Sequence, residues 1–401
     1  MDRAELGAWL RLLMAPGVGP LAARKLLMAL GSPQAVASAS PAAIRAVLPR
    51  LDPAKLTQAP EGWAEQLERS WAWLHPAAAE PPASPEVPAP TRAVITLADP
   101  VYPTTLLEAA DPPLLLFAEG DLSLLRAPSV AVVGSRNPTA QGADNAHAFA
   151  QALSDAGVTV VSGLARGVDA AAHEGALVSC ERPAAAGQPI GGRTVAVLGT
   201  GLQHIYPRSN TKLAQRIARH GLLVSEFLLD TPPLPSNFPK RNRIVAALSR
   251  GTLVVEAAVQ SGSLITARLA SELGREVLAI PGSIHSPQAR GCHALIKQGA
   301  KLVETAQDVL EELRLGGARP GSRVAIGAAE PSEPSESDEA ADAADVDPIL
   351  RAMGHDPVSQ EALSARTGMG PGELGARLLE LELMGQVARL PGQLFQRLGR
   401  A

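Results

Sequence analysis

Residues 129–136 read SVAVVGSR, and residues 158–167 read VTVVSGLARG. Each opens with a short run of β-branched and small apolar residues that breaks at a glycine or a Ser-Gly pair. Each then leads into a helical pattern, from about Thr139 in the first case and over residues 168–177 in the second. The unit recurs outward along the chain. Residues 194–198 (TVAVL) run into Gly199-Thr200-Gly201, residues 252–255 (TLVV) into Glu256 and a helix near 263–273, and residues 277–280 (VLAI) into Pro281-Gly282. Residues 222–225 (LLVS) add one more strand. Strands apolar at every position and alternating with helices predict a doubly wound α/β fold, its parallel sheet covered on both faces. Ligands bind such sheets at the carboxyl ends of the strands.

Those ends carry Gly134-Ser135-Arg136, then Ser162-Gly163-Leu164-Ala165-Arg166-Gly167, then Gly199-Thr200-Gly201, and Ser261-Gly262-Ser263 ahead of a later helix. Gly and Ser let backbone N–H groups come close to an anion, and the helix N-termini that follow favour negative charge. Four such loops on one rim predict a phosphate cradle. Its ligand is neither a dinucleotide nor a magnesium-bound triphosphate, because G-x-G-x-x-G is missing after the first strand and G-x-x-x-x-G-K-[ST] is missing throughout. Arg136 stands where a dinucleotide fold needs a small residue, and an arginine clamps phosphate in bidentate fashion. Asn237-Phe238-Pro239-Lys240-Arg241-Asn242-Arg243 sets three bases around one aromatic just before a helical run at 244–248. Bases beside a stacking face are what single-stranded nucleic acid requires, and the alternative is a solvated helix start with a buried Phe and arginines paired with acids.

Other constellations read as structural. Asp169 and His173 stand four apart on one helix face with no third metal ligand in view, so a local capping and bonding role is expected of them. Glu256 ends a strand beside the cradle, either as a general base or to orient Arg or Ser side chains, and the second reading is preferred. No H-E-x-x-H or G-x-S-x-G occurs, and no catalytic residue, metal or cofactor is expected.

The chain's 401 residues allow two to four domains at about 100–200 residues each. Two linkers divide it: a Pro/Ala-rich one at 75–91 and an acidic one at 316–345 whose composition reads as disordered. Residues 1–74, 92–315 and 346–401 remain as folded segments. Residues 330–347 hold eight acids and no base, so the net charge of −4 becomes +4 without them (−4 + 8), and the acidic average does not exclude an anionic partner. Cys180 and Cys292 lie far apart, which excludes a disulfide scaffold and a cysteine zinc site. No apolar run reaches the ~18 residues of a membrane span, and Met1-Asp2-Arg3-Ala4-Glu5 lacks a secretory pattern. A cytoplasmic protein with no membrane partner is expected. Thirty arginines against six lysines reflect a GC-rich coding bias.

The flanking segments read as small helical modules. Pro16-Gly17-Val18-Gly19-Pro20 opening a helix resembles a helix-hairpin-helix turn, with packing of a small helical domain as the alternative. The last segment runs helix, helix, turn, helix and two short strands, a winged-helix order. Its presumed reading helix, PGELGARLLELELM, carries Glu373, Glu380 and Glu382 against Arg377, which suits a protein contact at least as well as duplex DNA.

Across nearly its whole length the chain resembles the DNA-processing protein A (DprA/Smf) family. The matching blocks are Tyr102-Pro103 with Asp111-Pro112-Pro113, VAVVGSR with Gly142, VVSGLARGVDAAAHEGAL, AVLGTGL with Tyr206-Pro207 and Asn210, FPKRNRIVAALS, and VVEAAVQSGSLITARLA with Pro281-Gly282-Ser283. Gln203 stands where an acid is common in the family. The resemblance implies an extended Rossmann-like core that binds single-stranded DNA, helps load the recombinase RecA, protects incoming strands during natural transformation and forms homodimers. It also implies that Ser135, Arg136, Lys240, Arg241 and Arg243 line the DNA pocket.

Both lines of reading converge on sequence-independent, non-catalytic binding of single-stranded DNA. Arg136, Lys240, Arg241 and Arg243 are the expected phosphate contacts. Backbone groups at Gly134, Ser162, Gly163, Ala165, Arg166, Gly167, Ser261, Gly262 and Ser263 supply further anion contacts, Asn242 lies among them, and Phe238 offers stacking. His293, Leu295, Ile296 and Leu302 form a candidate dimer surface, with core packing as the alternative. The competing readings are a nucleotide-hydrolysing Rossmann-like enzyme and a winged-helix transcription regulator. The first is disfavoured because residues 261–267 (SGSLITA) lack the carboxylate of the hydrolase motif P-G-G-x-G-T-x-x-E.

Overall fold

The computed structural model describes residues 1–76, 90–181, 192–315, 347–354, 357–390 and 392–398. Most of both linkers expected from composition lies outside the described residues.

Six helices open the chain: α1 (Arg3–Met14), α2 (Pro20–Leu30), α3 (Pro33–Ser38), α4 (Pro41–Val47), α5 (Ala54–Thr57) and α6 (Trp63–Leu74). Their starts are written locally. The Asp2 carboxylate accepts the Glu5 amide, and Ser32 and Ser40 cap α3 and α4 ahead of a proline at the first helical position. Next come β1 (Arg92–Thr96), α7 (Thr104–Leu107), β2 (Leu115–Gly120), β3 (Ser129–Val133), α8 (Ala140–Asp155), β4 (Thr159–Ser162) and α9 (Val168–Glu181). The alternation continues with β5 (Thr194–Val197), α10 (Thr211–His220), β6 (Leu222–Ser225), α11 (Asn237–Leu248), β7 (Gly251–Val254), α12 (Ser263–Glu272), β8 (Glu276–Ala279), α13 (Arg290–Lys297), β9 (Lys301–Leu302) and α14 (Ala306–Glu312).

These strands form one nine-stranded sheet in the order β1-β2-β6-β5-β4-β3-β7-β8-β9. From β6 to β9 all neighbours are parallel, as the apolar runs predict, and β3 to β7 are buried at every residue. Two antiparallel strands extend the β6 edge, with Phe117 of β2 opposite Ser225 and Val94 of β1 opposite Phe117. Residue patterning alone did not foresee this extension, because neither strand is followed by a crossover helix. The chain winds outward through β4, β5 and β6, then returns to the other side of β3 with β7. That reversal is a topological switch point, where the loops after β3 and β7 diverge and leave a crevice.

The first six helices bury their apolar faces on the sheet side of the molecule. Leu6, Trp9, Leu10 and Leu26 belong to the same cluster as Leu115, Phe117, Ile217 and Leu223. Trp73 meets Phe117 edge-on at 6.0 Å, and Asp230 accepts from Gln66 at 2.8 Å and pairs with Arg69. The C-terminal segment is a winged helix of α15 (Pro348–Met353), β10 (Val358–Ser359), α16 (Gln360–Thr367), α17 (Pro371–Leu383), β11 (Val387–Leu390) and β12 (Leu394–Arg397). It has its own core, built on Leu350, Leu363, Leu374, Leu378 and Phe395. Arg366 joins it to α8 through Asp144 at 2.8 Å.

Candidate nucleic-acid interface

A cleft of about 620 Å³ opens at the switch point. Its walls are the loop after β3 (Gly134, Ser135, Arg136, Asn137), the loop after β7 with the start of α12 (Ala258, Gln260, Ser261, Gly262, Ser263), and α11 with Tyr206. The loop after β4 and the first turn of α9 form its floor through Gly163, Ala165 and Asp169. The cleft therefore gathers Gly134, Ser135, Arg136, Gly163, Ala165, Phe238, Arg241, Asn242, Ser261, Gly262 and Ser263. Ser162, Arg166, Gly167, Lys240 and Arg243 are not part of its lining.

The floor does not behave as a phosphate cradle, which corrects the expectation for residues 162–167. The buried Asp169 carboxylate accepts the amides of Gly163 (3.1 Å) and Ala165 (3.3 Å). His173 Nε2 accepts the amide of Leu164 at 3.3 Å, and Asn210 donates to the carbonyls of Leu164 and Ala165. The Ser162 hydroxyl is buried and donates to the Val132 carbonyl at 2.7 Å. The loop has the shape that binds an anion, and Asp169 is the anion it holds. Gly167 is required at φ 78°, and a Cβ there would lie 2.5 Å from the Ser135 carbonyl oxygen.

His173 is fixed as a neutral imidazole. Its Nδ1 faces the Thr194 hydroxyl at 2.7 Å, and that hydroxyl donates to Val160 O, so Nδ1 is the donor and Nε2 the acceptor. Burial first, then the Arg241 charge, pulls the His173 pKa down to about 3. Burial raises the Asp169 pKa, against the pull of Arg241. Asp169 and His173 thus organise the loop, in keeping with the structural reading of that pair. Among the described residues no cluster of His, Cys, Asp or Glu is arranged to hold a metal.

The basic cluster needs the larger correction. Residues 237–243 are not a loop ahead of a helix but the first two turns of α11. Successive residues of a helix step about 100° around its axis, so Arg241 leaves it on a different side from Lys240 and Arg243, which share a face three residues apart. Arg241 turns inward. Its buried guanidinium donates to the Gly163 carbonyl at 2.5 Å and to that of Val197, and burial lowers its pKa to about 10. A Cβ on Gly163 would sit 2.4 Å from that guanidinium. Arg243 pairs with Glu226 and, at 3.0 Å, with Asp111, and only 12% of its side chain is exposed. Neither arginine is placed to grip a phosphate. Lys240 is exposed but lies outside the cleft lining.

One arginine remains in the cleft with its charge unmatched. Arg136 is exposed, and among the described residues it forms no ion pair. It sits over the Phe238 ring at 6.0 Å, and Phe238 meets Tyr206 at 5.5 Å with the rings tilted by 44°. Tyr206 is 48% exposed. Arg136, Phe238 and Tyr206 form a continuous ledge of guanidinium and ring faces along one wall. Tyr206 was not among the expected contacts. Its Tyr-Pro motif was visible, but only folding carries it 32 residues along the chain to the side of Phe238. Opposite, at the start of α12, the Ser261 hydroxyl accepts the Ser263 amide at 3.3 Å and meets the Ser263 hydroxyl at 2.7 Å.

Glu256 accepts the Thr139 amide (2.9 Å) and hydroxyl (2.6 Å) at the start of α8, an orienting role as preferred for it, but on a threonine rather than on Arg or Ser. On the far edge of the sheet, Leu295 and Ile296 are half-buried against the core, His293 bonds the Gly282 carbonyl at 3.0 Å, and Leu302 is exposed on β9.

A family model described as DNA recombination-mediator protein A matches residues 93–314, more than half of the chain. The chain belongs to the DprA/Smf family. A second model, the DprA winged helix domain, matches residues 332–393. The DprA/Smf relatives include the protein Smf of Escherichia coli, 42% identical over 301 residues that cover 75% of this chain and 76% of the relative. The DNA processing protein DprA of Streptococcus pneumoniae is 48% identical over 217 residues, 54% of this chain and 73% of the relative. A crystal structure of the S. pneumoniae DprA superposes with a TM-score of 0.62 at 36% identity, covering 78% of this chain and 98% of that one. The DprA fold is thus the frame in which this cleft sits.

Proposed function

We propose that the cleft binds single-stranded DNA without sequence preference and without catalysis. The observation that carries this reading is the ledge of Arg136, Phe238 and Tyr206 in an open cleft at the switch point. Its faces suit unpaired bases, which stack on any aromatic, while Arg136 meets the backbone. A paired base presents no such face. Ser135, Asn242 and the Ser261 and Ser263 hydroxyls supply polar contacts, and Lys240 and Arg166 add exposed positive charge outside the lining. The absence of catalysis is argued from the carboxylates: Asp169 is engaged by two amides, and Glu256 by Thr139.

We infer that the chain acts in DNA processing during natural transformation, holds incoming strands and passes them to RecA, as its family resemblance implies. Three modules, 1–74, 92–315 and 346–401, carry this activity in the cytoplasm, joined by the linkers at 75–91 and 316–345. Dimerisation through the β9 edge, with Leu302 at its centre, would place two clefts on one strand and raise avidity.

The test compares affinity for oligo-dT and for duplex of equal length, in wild type and in Arg136→Glu and Lys240→Glu. Tighter binding of oligo-dT, weakened at least about tenfold by Arg136→Glu, is expected. Equal affinity in wild type and Arg136→Glu would overturn the cleft assignment.

A further inference from the structure

The winged helix carries an outward helix face with the wrong charge for DNA. On α17, Leu374, Leu378 and Leu381 fill the module's core. Ala376, Leu379 and Leu383 form a stripe on the outside, three and four residues apart. Leu379 is 57% exposed and Leu383 81%. At 3.6 residues per turn, Glu373 and Glu380 run along one side of the stripe and Glu382 along the other. Glu380 pairs with Arg377, but among the described residues Glu373 and Glu382 form no ion pair. A phosphate backbone would be repelled by this face.

The converse surface lies on α2. Its inward residues, Ala23 and Leu26, are buried in the core shared with the sheet. Its outward residues, Leu21 and Met28, are 55% and 80% exposed and stand two turns apart. Arg24 flanks them on one side and Lys25 on the other, and among the described residues neither forms an ion pair. One helix presents base–apolar–base across its face, the other acid–apolar–acid.

We propose that α17 of one copy docks on α2 of a second copy. The apolar stripes bury each other, and the flanking charges meet opposite charges on both sides. The two patches differ, so the contact is head-to-tail and links copies into chains. It is small, in the class of transient interfaces, and it gains where copies are crowded together. This contact stands independently of the DNA reading, because no cleft residue takes part in it.

Sedimentation of the full chain without DNA at low salt tests it. Wild type is expected to grow in weight-average mass with concentration, and Leu383→Glu to need about tenfold more protein for the same growth. Arg24→Glu/Lys25→Glu and Glu373→Lys/Glu382→Lys should each stop growing at the dimer formed through the β9 edge. Mixed one to one, these two variants present opposite charges to each other at both contacts and should associate again. A wild type of constant mass overturns the proposal, and so do variants that associate unchanged. Loss in both variants without recovery on mixing also overturns it, since α17 and α2 would then meet different surfaces.

Discussion

The loop after β3 and the first turns of α11 meet along one wall of the cleft, and both put arginines there. Arg136 projects into the opening, over an aromatic ring and with no acid against it. Arg241 lies buried against the floor and ties the carbonyls of Gly163 and Val197 together beside Asp169. The side chains are chemically identical, yet one stays exposed in the cleft and the other holds the fold. The difference lies in surroundings: a loop at the sheet rim leaves its side chain in water, whereas a helix packed on the sheet drives every third or fourth residue into the interior.

Four measurements would break or sharpen that contrast. Arg241→Ala should have the largest effect, about 3–5 kcal/mol of lost stability in urea unfolding, because the buried Asp169 and two carbonyls lose their partner. A loss below about 1 kcal/mol would remove the structural assignment. Next, His173 should make stability fall with acidification. Its folded pKa is about 3 against an ordinary 6.5, so the unfolded chain takes up a proton that the folded one refuses. Its contribution is fully present above pH 6.5 and declines as pH drops toward 3, by up to ~1.4 kcal/mol per unit. Asp169, with a raised pKa, works in the opposite sense over its own titration, so the readout is wild type minus His173→Asn. A difference that stays flat between pH 7 and 5 would contradict the buried neutral imidazole.

On the other side of the contrast, Arg136→Ala should leave unfolding within about 0.5 kcal/mol of wild type. It should weaken oligo-dT binding by ~2 kcal/mol and lower the salt slope by about one. Destabilisation as large as that of Arg241→Ala would erase the distinction between the two arginines. The smallest change is expected for Tyr206→Leu, ~1 kcal/mol of affinity with no change in salt slope, because stacking is lost and no ion is released. A change in slope would assign Tyr206 to the backbone instead.

Much of this was legible beforehand, and the parts that were not share a cause. Strands β3 to β8 are short apolar runs, and β3, β4 and β5 lead into a glycine turn. The winged helix was equally plain, because its helices and wing strands follow one another locally. The antiparallel strands β1 and β2 escaped because they lack the strand–helix rhythm. Residues 237–243 begin α11 rather than precede it, and the proline in the first turn suits a helix. The glycine-rich loop after β4 has the composition of a phosphate cradle, but Asp169 of the chain itself takes the amides of Gly163 and Ala165.

The order of residues determined the elements, the parallel sheet and the rim on which ligand contacts would fall, since these depend on periodicity and on glycine at turns. Tertiary structure alone decided which charges face solvent and which are matched. Arg136, Arg241 and Arg243 owe their separate fates to Phe238, Asp169 and Glu226, residues up to 102 positions away in the chain. Electrostatic matching depends on distance in space, and no local pattern encodes it.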